Sequence, residues 1–287
     1  MLSIHAKYDR FGLDFGIFNL FNSGGDTTDS IRVKRYLRHC RFLLWRNATL
    51  KLTSILRLLS LGLLFASATG LHAQKTFENI ETYSDWSSCT VCAGIYGHGT
   101  PARYGMVQHQ SSPSINDNSS RFWIGSGKPY SDVLWWRQLG PDANAHHFVY
   151  ELYYYITSPT SPQALEFDVN QSVNGLKYVF STECDISFRH TWRVWDTKNW
   201  RWIDTGVACV VPTAYQWHHL VIQFERTTDN REHYVSVQFD GVTHYWNIYA
   251  SPRKSGAEEL NVAFQEDGND TQTPYSVWLN KVTLTDW

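Results

Sequence analysis

The chain has no uncharged apolar run of the roughly 18 residues that a membrane-crossing helix requires. Its nearest approach, Leu58-Leu-Ser-Leu-Gly-Leu-Leu-Phe-Ala66, is too short to span. Charge is also sparse: Asp, Glu, Lys and Arg make up 18% of the residues, against 43% hydrophobic and 15% aromatic. Such a composition excludes an intrinsically disordered chain, because there is ample apolar material to bury. Beyond residue 73 no stretch keeps a sustained helical period, which excludes helical bundles. Basic charge is scarce in that same part. The first 73 residues hold ten of the 25 Lys and Arg and four of the 27 Asp and Glu, leaving 15 basic and 23 acidic residues for the rest. An acidic body repels phosphate backbones, so nucleic acid is not an expected partner.

What the first 73 residues do contain is a targeting pattern. No acidic residue lies between Asp29 and Glu78; Lys51 and Arg57 precede the apolar run, and small residues follow it. A basic flank, a short apolar centre and a small-residue exit are the marks of a secretory signal. Cleavage is expected after Ala68 or Ala73. Residues 1 to about 32 make the basic flank unusually long, so translation is expected to begin further on, near Val33. The expected organisation is an N-terminal extension and signal peptide over 1–73, then a single domain over 74–287 with no membrane span in its mature form. Its expected location is secreted, periplasmic or on the cell surface, and its expected state is a monomer.

Cysteine usage agrees with export. Cys40 falls in the leader and leaves an even set, Cys89, Cys92, Cys184 and Cys209, which in an oxidising compartment favours disulfides. Of the three pairings, Cys184–Cys209 with Cys89–Cys92 is the expected one. The alternatives for Cys89-Thr-Val-Cys92 are a redox pair, which would want the motif opening a helix, or half a zinc site, which would want a second ligand pair.

Period-two alternation dominates residues 74–287. His147–Ile156 is the clearest strand. Gln163–Gln171 follows, with Leu165, Phe167 and Val169 on an apolar face and Glu166, Asp168 and Asn170 on a polar one. Asn174-Gly175 reads as a hairpin turn into Leu176–Thr182. Trp192–Trp195 and Trp200–Ile203 form a second hairpin. Trp217–Arg226, His233–Asp240, Val242–Ile248, Glu259–Gln265 and Tyr275–Leu284 complete roughly ten strands, with no internal repeat and no interdomain linker. The fold class is therefore all-β, an antiparallel β-sandwich or jelly roll.

Trp217-His-His-Leu-Val221, Val237-Gln-Phe-Asp-Gly-Val242 and the closing Tyr275–Leu284 resemble the core strands of laminin-G-like and other concanavalin A-like lectin/glucanase domains. The stretch from Cys89 onward also resembles a group of secreted bacterial proteins. The first resemblance implies a ligand groove on one sheet and a carbohydrate as ligand. Glu166, Asp168 and Asn170 are then the leading sugar-binding candidates, with Gln265, Trp200 and Trp202 as additions. Indole faces stack on sugar rings, and carboxylates and amides pair with sugar hydroxyls. Asp and Asn are poor strand formers, so their presence in one strand suggests a use beyond folding. Trp192 and Trp195 are candidates for sugar contact as well; an ordinary solvated strand face, and tryptophans that merely fill the core, are the plainer readings.

Glu166-Phe-Asp-Val-Asn-Gln171 further resembles the E-x-D-x-x-E strand of family 16 glycoside hydrolases. That likeness implies Glu166 as nucleophile and Asp168 as its helper, but the acid/base position holds Gln171, whose amide has no proton to give. A replacement acid would have to come from another strand, with Glu151 and Glu266 the candidates. The expected function is accordingly non-catalytic binding of a polysaccharide or other glycan, with no catalytic residue. The alternative is a glycoside hydrolase or polysaccharide lyase using Glu166 as nucleophile or base. The adjacent pairs His146-His147 and His218-His219 point to opposite strand faces and are not expected to hold zinc. No organic cofactor is expected. Glu266-Asp-Gly-Asn-Asp270 gathers oxygen ligands around a glycine, so Asp267, Asn269 and Asp270 are the expected position of a structural calcium; a solvated acidic turn is the alternative.

Overall fold

The computed structural model describes the backbone of residues 4–9 and 12–17, and residues 73–92 and 100–287 in full. The chain divides into two units, Met1–Leu71 and His72–Trp287. In the first, β1 (Ile4–Asp9) and β2 (Gly12–Ile17) form an antiparallel hairpin. The expected signal segment around Leu58–Ala66 lies outside the described residues.

The second unit is an antiparallel β-sandwich, as the alternation and the resemblance both imply. One sheet runs β12 (Arg201–Ala208), β11 (Thr191–Asp196), β10 (Leu176–Asp185), β9 (Pro162–Val173), β17 (Glu259–Gly268), β7 (Asp132–Gln138), β4 (Ser87–Cys89), with β16 (Arg253–Lys254) pairing on β10. The other runs β15 (Val242–Ala250), β14 (Glu232–Phe239), β13 (Trp217–Arg226), β8 (His147–Ile156), β18 (Tyr275–Asp286), β6 (Ser119–Gly127), β5 (Ala102–Gln110), with β3 (Lys75–Phe77) pairing on β18. The described residues contain no α-helix, only a 3-10 turn at Ile80–Thr82, and none of their helices could cross a membrane.

Alternation decides what enters the core. Phe148, Tyr150, Leu152, Tyr154 and Ile156 of β8 are buried, as are Leu165, Phe167 and Val169 of β9. Aromatic rings lock the sheets together: Tyr154 meets Phe167 at 5.7 Å, Phe122 meets Phe264 at 5.3 Å and Phe180 meets Phe224 at 5.4 Å. Asn174 and Gly175 both take positive φ, 53° and 78°, the backbone that a two-residue hairpin turn between right-twisted strands requires. That turn sets the β9–β10 register. Strand β17 then inserts between β9 and β7, so a segment roughly 100 residues later in the chain becomes the immediate neighbour of Glu166.

Both expected disulfides form, with Cα–Cα distances of 5.7 Å for Cys89–Cys92 and 5.5 Å for Cys184–Cys209. Cys184 is the last residue but one of β10 and Cys209 follows β12, so their bond, between residues 25 apart in sequence, closes the base of the β11–β12 hairpin inside the core. A loop of that length is worth about 3 kcal/mol of chain entropy. Cys184→Ser with Cys209→Ser is expected to lower the unfolding free energy by about that amount in urea titrations. A change below about 1 kcal/mol would mean that packing alone holds the hairpin.

Candidate functional site

Strand β9 is the spine of the candidate site. With Leu165, Phe167 and Val169 committed to the core, strand geometry sends Glu166, Asp168 and Asn170 to the outer face. Strand β17 sets Gln265, Ala263 and Asn261 beside those three in turn. On the other side β10 sets Glu183, Ser181 and Val179 beside the same three. These rows form the floor of a trough with a cavity volume of about 900 Å³.

The trough has aromatic sides. On one, Trp136 of β7 stands opposite Ala263, whose methyl group keeps the floor low there. On the other, Trp195 and Trp202 form a cross-strand pair with rings edge-to-face at 5.1 Å, and Trp200 meets Trp195 at 6.2 Å. The Arg253 guanidinium lies 4.6 Å from the Trp200 ring centre. Strands β11 and β7 are four strand spacings apart, so the indole sides stand about 19 Å from each other.

The floor divides into an amide end and an acidic end. At the amide end, Asn170 Nδ2 donates to Asn261 Oδ1 at 3.0 Å. At the acidic end, Gln265 Nε2 donates to Glu166 Oε1 at 2.6 Å and to Asp267 Oδ1 at 2.8 Å. Glu183 pairs with Arg193, whose Nη2 is also 3.4 Å from Asp185. One oxygen each from Glu166, Glu183 and Asp267 lie within 4.8 Å of one another. Burial and mutual repulsion push these acids upward. Glu166 is held well above the usual carboxylate range by desolvation, then by Asp267, Asp168 and Glu183. Glu183 is also well raised, by desolvation that Arg193 only partly offsets. Desolvation lifts Asp168 to about 7, Asp267 to about 6 and Asp132 to about 8.

The structure brings Glu166, Asp168, Asn170, Gln265, Trp200 and Trp202 together around one trough. Trp200, which strand alternation would place on one face with Trp202, instead precedes β12 and occupies the hairpin turn at φ 53°, so the turn is what orients it. Trp192 faces the core against Trp246, at 6.1 Å.

Three other expectations are corrected. Gln171 points inward and spends its Nε2 on the carbonyls of Asp142 and Ala145. Because β9 runs without a bulge against β10, the sixth residue of the E-x-D-x-x-E-like motif faces away from the first, whatever its side chain. Glu151 belongs to the other sheet, where it pairs with His219, and Glu266 is buried on the inner side of β17; neither reaches the trough. The Asp267, Asn269, Asp270 set is also parted. Asp267 turns into the trough, Asn269 Oδ1 accepts the amides of Thr271 and Thr273 together with the Thr271 hydroxyl, and Asp270 is exposed. Residues that sequence reasoning missed are Glu183, Asn261, Trp136 and Asp132. The first two were recoverable, since continuing the alternation through Glu183 and back to Asn261 puts both on the polar face.

No family model and no curated protein matches the chain. Among solved structures it is similar to a carbohydrate esterase from Shiga toxin-encoding bacteriophage phi24B (14% identity, 75% of this chain and 99% of that one, TM-score 0.43). It is also similar to arcelin-5, a lectin-like defense protein from Phaseolus vulgaris (9% identity, 75% and 98%, TM-score 0.42). A third similar structure is an alginate lyase in complex with an alginate trisaccharide (11% identity, 69% and 97%, TM-score 0.40).

Proposed function

We propose that this chain is an exported, non-catalytic glycan-binding protein that holds a polysaccharide segment in the trough on its β9–β17 face. One observation carries the reading: a floor of amide and carboxyl groups lies between Trp136 and the Trp195–Trp200–Trp202 cluster on one sheet face. Apolar ring faces flanking hydrogen-bonding groups suit sugars, which present C–H faces and hydroxyl edges together. Export is supported by the leader pattern and by two disulfides.

Screening on a glycan array, followed by titration of the best oligosaccharide with Trp fluorescence, tests the reading. Trp202→Ala is expected to weaken binding about tenfold, the loss of roughly one stacking contact. Tyr245→Ala, an exposed change on the other sheet, is expected to leave binding unaltered. Equal affinity for the Trp202 variant and the parent would remove the trough as the binding site.

A second reading, hydrolysis, is favoured by the Glu166–Glu183 pair. Their oxygens lie within 4.8 Å, near the roughly 5–5.5 Å between carboxyl groups of retaining glycosidases, and both acids are raised. Reducing-sugar release that Glu166→Gln abolishes would establish cleavage in place of binding alone.

A further inference from the structure

We propose that the acidic end of the trough is a calcium site, with Glu166, Glu183 and Asp267 as its protein ligands. Ligands on opposite sides of a calcium ion are about 4.8 Å apart at a Ca–O distance of about 2.4 Å. One oxygen from each of the three carboxylates already lies within that limit of the others, so some point is no more than about 2.8 Å from all three, and side-chain rotation alone can draw them in to calcium's roughly 2.3–2.6 Å.

A second observation points the same way. Asp168, only 5% exposed, projects onto the same floor two residues from Glu166, and its Oδ1 has no hydrogen-bond partner among the described residues. A buried carboxylate oxygen left without a donor is costly unless something positive meets it. The local charges leave room for that something. Glu166, Asp168, Glu183, Asp185 and Asp267 are all nine-tenths buried or more, while Arg193 is the guanidinium that meets Glu183 and Asp185. Turning over the Gln265 amide, which now donates to Glu166 and Asp267, would present its Oε1 as a further ligand. An all-oxygen, carboxylate-rich set with solvent on its open side suits a hard cation that keeps some of its waters.

The site is separate from the expected turn position. It shares Asp267 with that set but takes its other ligands from β9 and β10, and it draws no ligand from Asn170, Asn261 or the indoles. It does not rest on the glycan reading, since calcium is titrated with no sugar present. A calcium ion on Glu166 would also occupy the carboxylate that the hydrolysis reading needs as its nucleophile.

The experiment is calorimetric titration of CaCl2 into the chelator-treated, full-length protein, with melting temperature followed in parallel. One site is expected, with a rise in melting temperature that grows with calcium concentration. Glu166→Gln and Asp267→Asn are each expected to weaken binding at least ~10-fold, because calcium affinity follows the count of charged ligands. Asp270→Asn is expected to bind as the parent does. Circular dichroism in EDTA checks that each variant is folded; should Asp267→Asn fail to fold, the nearly isosteric Glu166→Gln decides alone. Absence of binding to folded protein at calcium concentrations on the order of 10 mM would overturn the site. So would unchanged binding by Glu166→Gln, or loss of binding in Asp270→Asn, which would return the ion to the turn.

Discussion

Glu81→Ala is expected to cost roughly 3 kcal/mol of folding free energy, well above the roughly 1 kcal/mol of an average substitution. Glu81 is completely buried on the 3-10 turn, and its two carboxylate oxygens accept the amides of Lys281 (2.8 Å) and Val282 (2.9 Å). Those amides belong to a bulge in β18, where pairing with β8 is interrupted between Asn280 and Thr283 and Lys281 takes φ 52°. A bulge leaves backbone donors without a ladder partner, and the Glu81 side chain supplies the missing acceptors. Its main-chain carbonyl meanwhile accepts from Ser120 Oγ and Gln108 Nε2, both at 2.7 Å, tying the turn to β6 and β5. Alanine would strand a buried donor at Val282 and a part-buried one at Lys281, at about 1–3 kcal/mol each, less what water recovers. Glutamine, which keeps one acceptor but turns an N–H2 toward the second amide, should fall between. Urea denaturation of the three proteins checks the ranking. An alanine variant within about 0.5 kcal/mol of the parent would show that the bulge is held by its other contacts.

That bulge also marks where reading the sequence stops working. Strict alternation located β8 and β13 to the residue, because every second side chain of those strands is buried without a break from end to end. It located the inward face of β9 and hence the direction of Glu166, Asp168 and Asn170. It did not reveal β5, β6 or β7. Strand β5 shifts register twice against β6, and each shift resets the phase of the pattern. Ser119-Ser-Arg-Phe-Trp-Ile-Gly-Ser-Gly127 is rich in residues that otherwise mark turns. Trp136 and Asp132 were lost with β7.

The acidic end of the site was illegible for another reason. Glu166 and Glu183 are neighbours through a hairpin, which a turn signal at Asn174-Gly175 makes countable from the sequence. Asp267 reaches them through β17, whose insertion between β9 and β7 depends on the order of strands in the sheet. No local pattern encodes that order. Clustered acids at Glu266–Asp270 therefore suggested a turn site, whereas alternation along β17 sends Asp267 to the trough and Glu266 to the core. The period-two rule was correct there, and the local clustering misled.

Stability should fall as pH rises from about 4.5 to 8, which is opposite to the acid sensitivity of proteins held by salt-bridged carboxylates. Glu232 is the clearest cause. It is fully buried between the sheets, and desolvation, the largest influence, lifts it to about 8 despite hydrogen bonds from the Thr197 side chain and the Val179 amide. The folded state thus keeps this proton where the unfolded state, at its ordinary 4.5, has released it. Below about 4.5 both states hold the proton and the associated stability is fully present. Between 4.5 and 8 only the unfolded state loses it, and the stability drains away; above 8 the loss is complete. A shift of that size corresponds to about 5 kcal/mol at most. Glu81, raised to about 7, and Asp132, raised to about 8, act in the same direction. Glu259, lowered by Lys177, Gln138 and Ser172 despite desolvation, acts the other way, but only in more acid solution. Glu232→Gln keeps an acceptor for the Val179 amide and removes the titration. Melting temperatures of parent and variant, taken in EDTA so that no cation contributes, should coincide near pH 4.5 and separate progressively toward pH 8.5, with the variant higher. Parallel curves would mean that the Glu232 pocket admits water or a counter-charge, and that its buried proton is not what sets the slope.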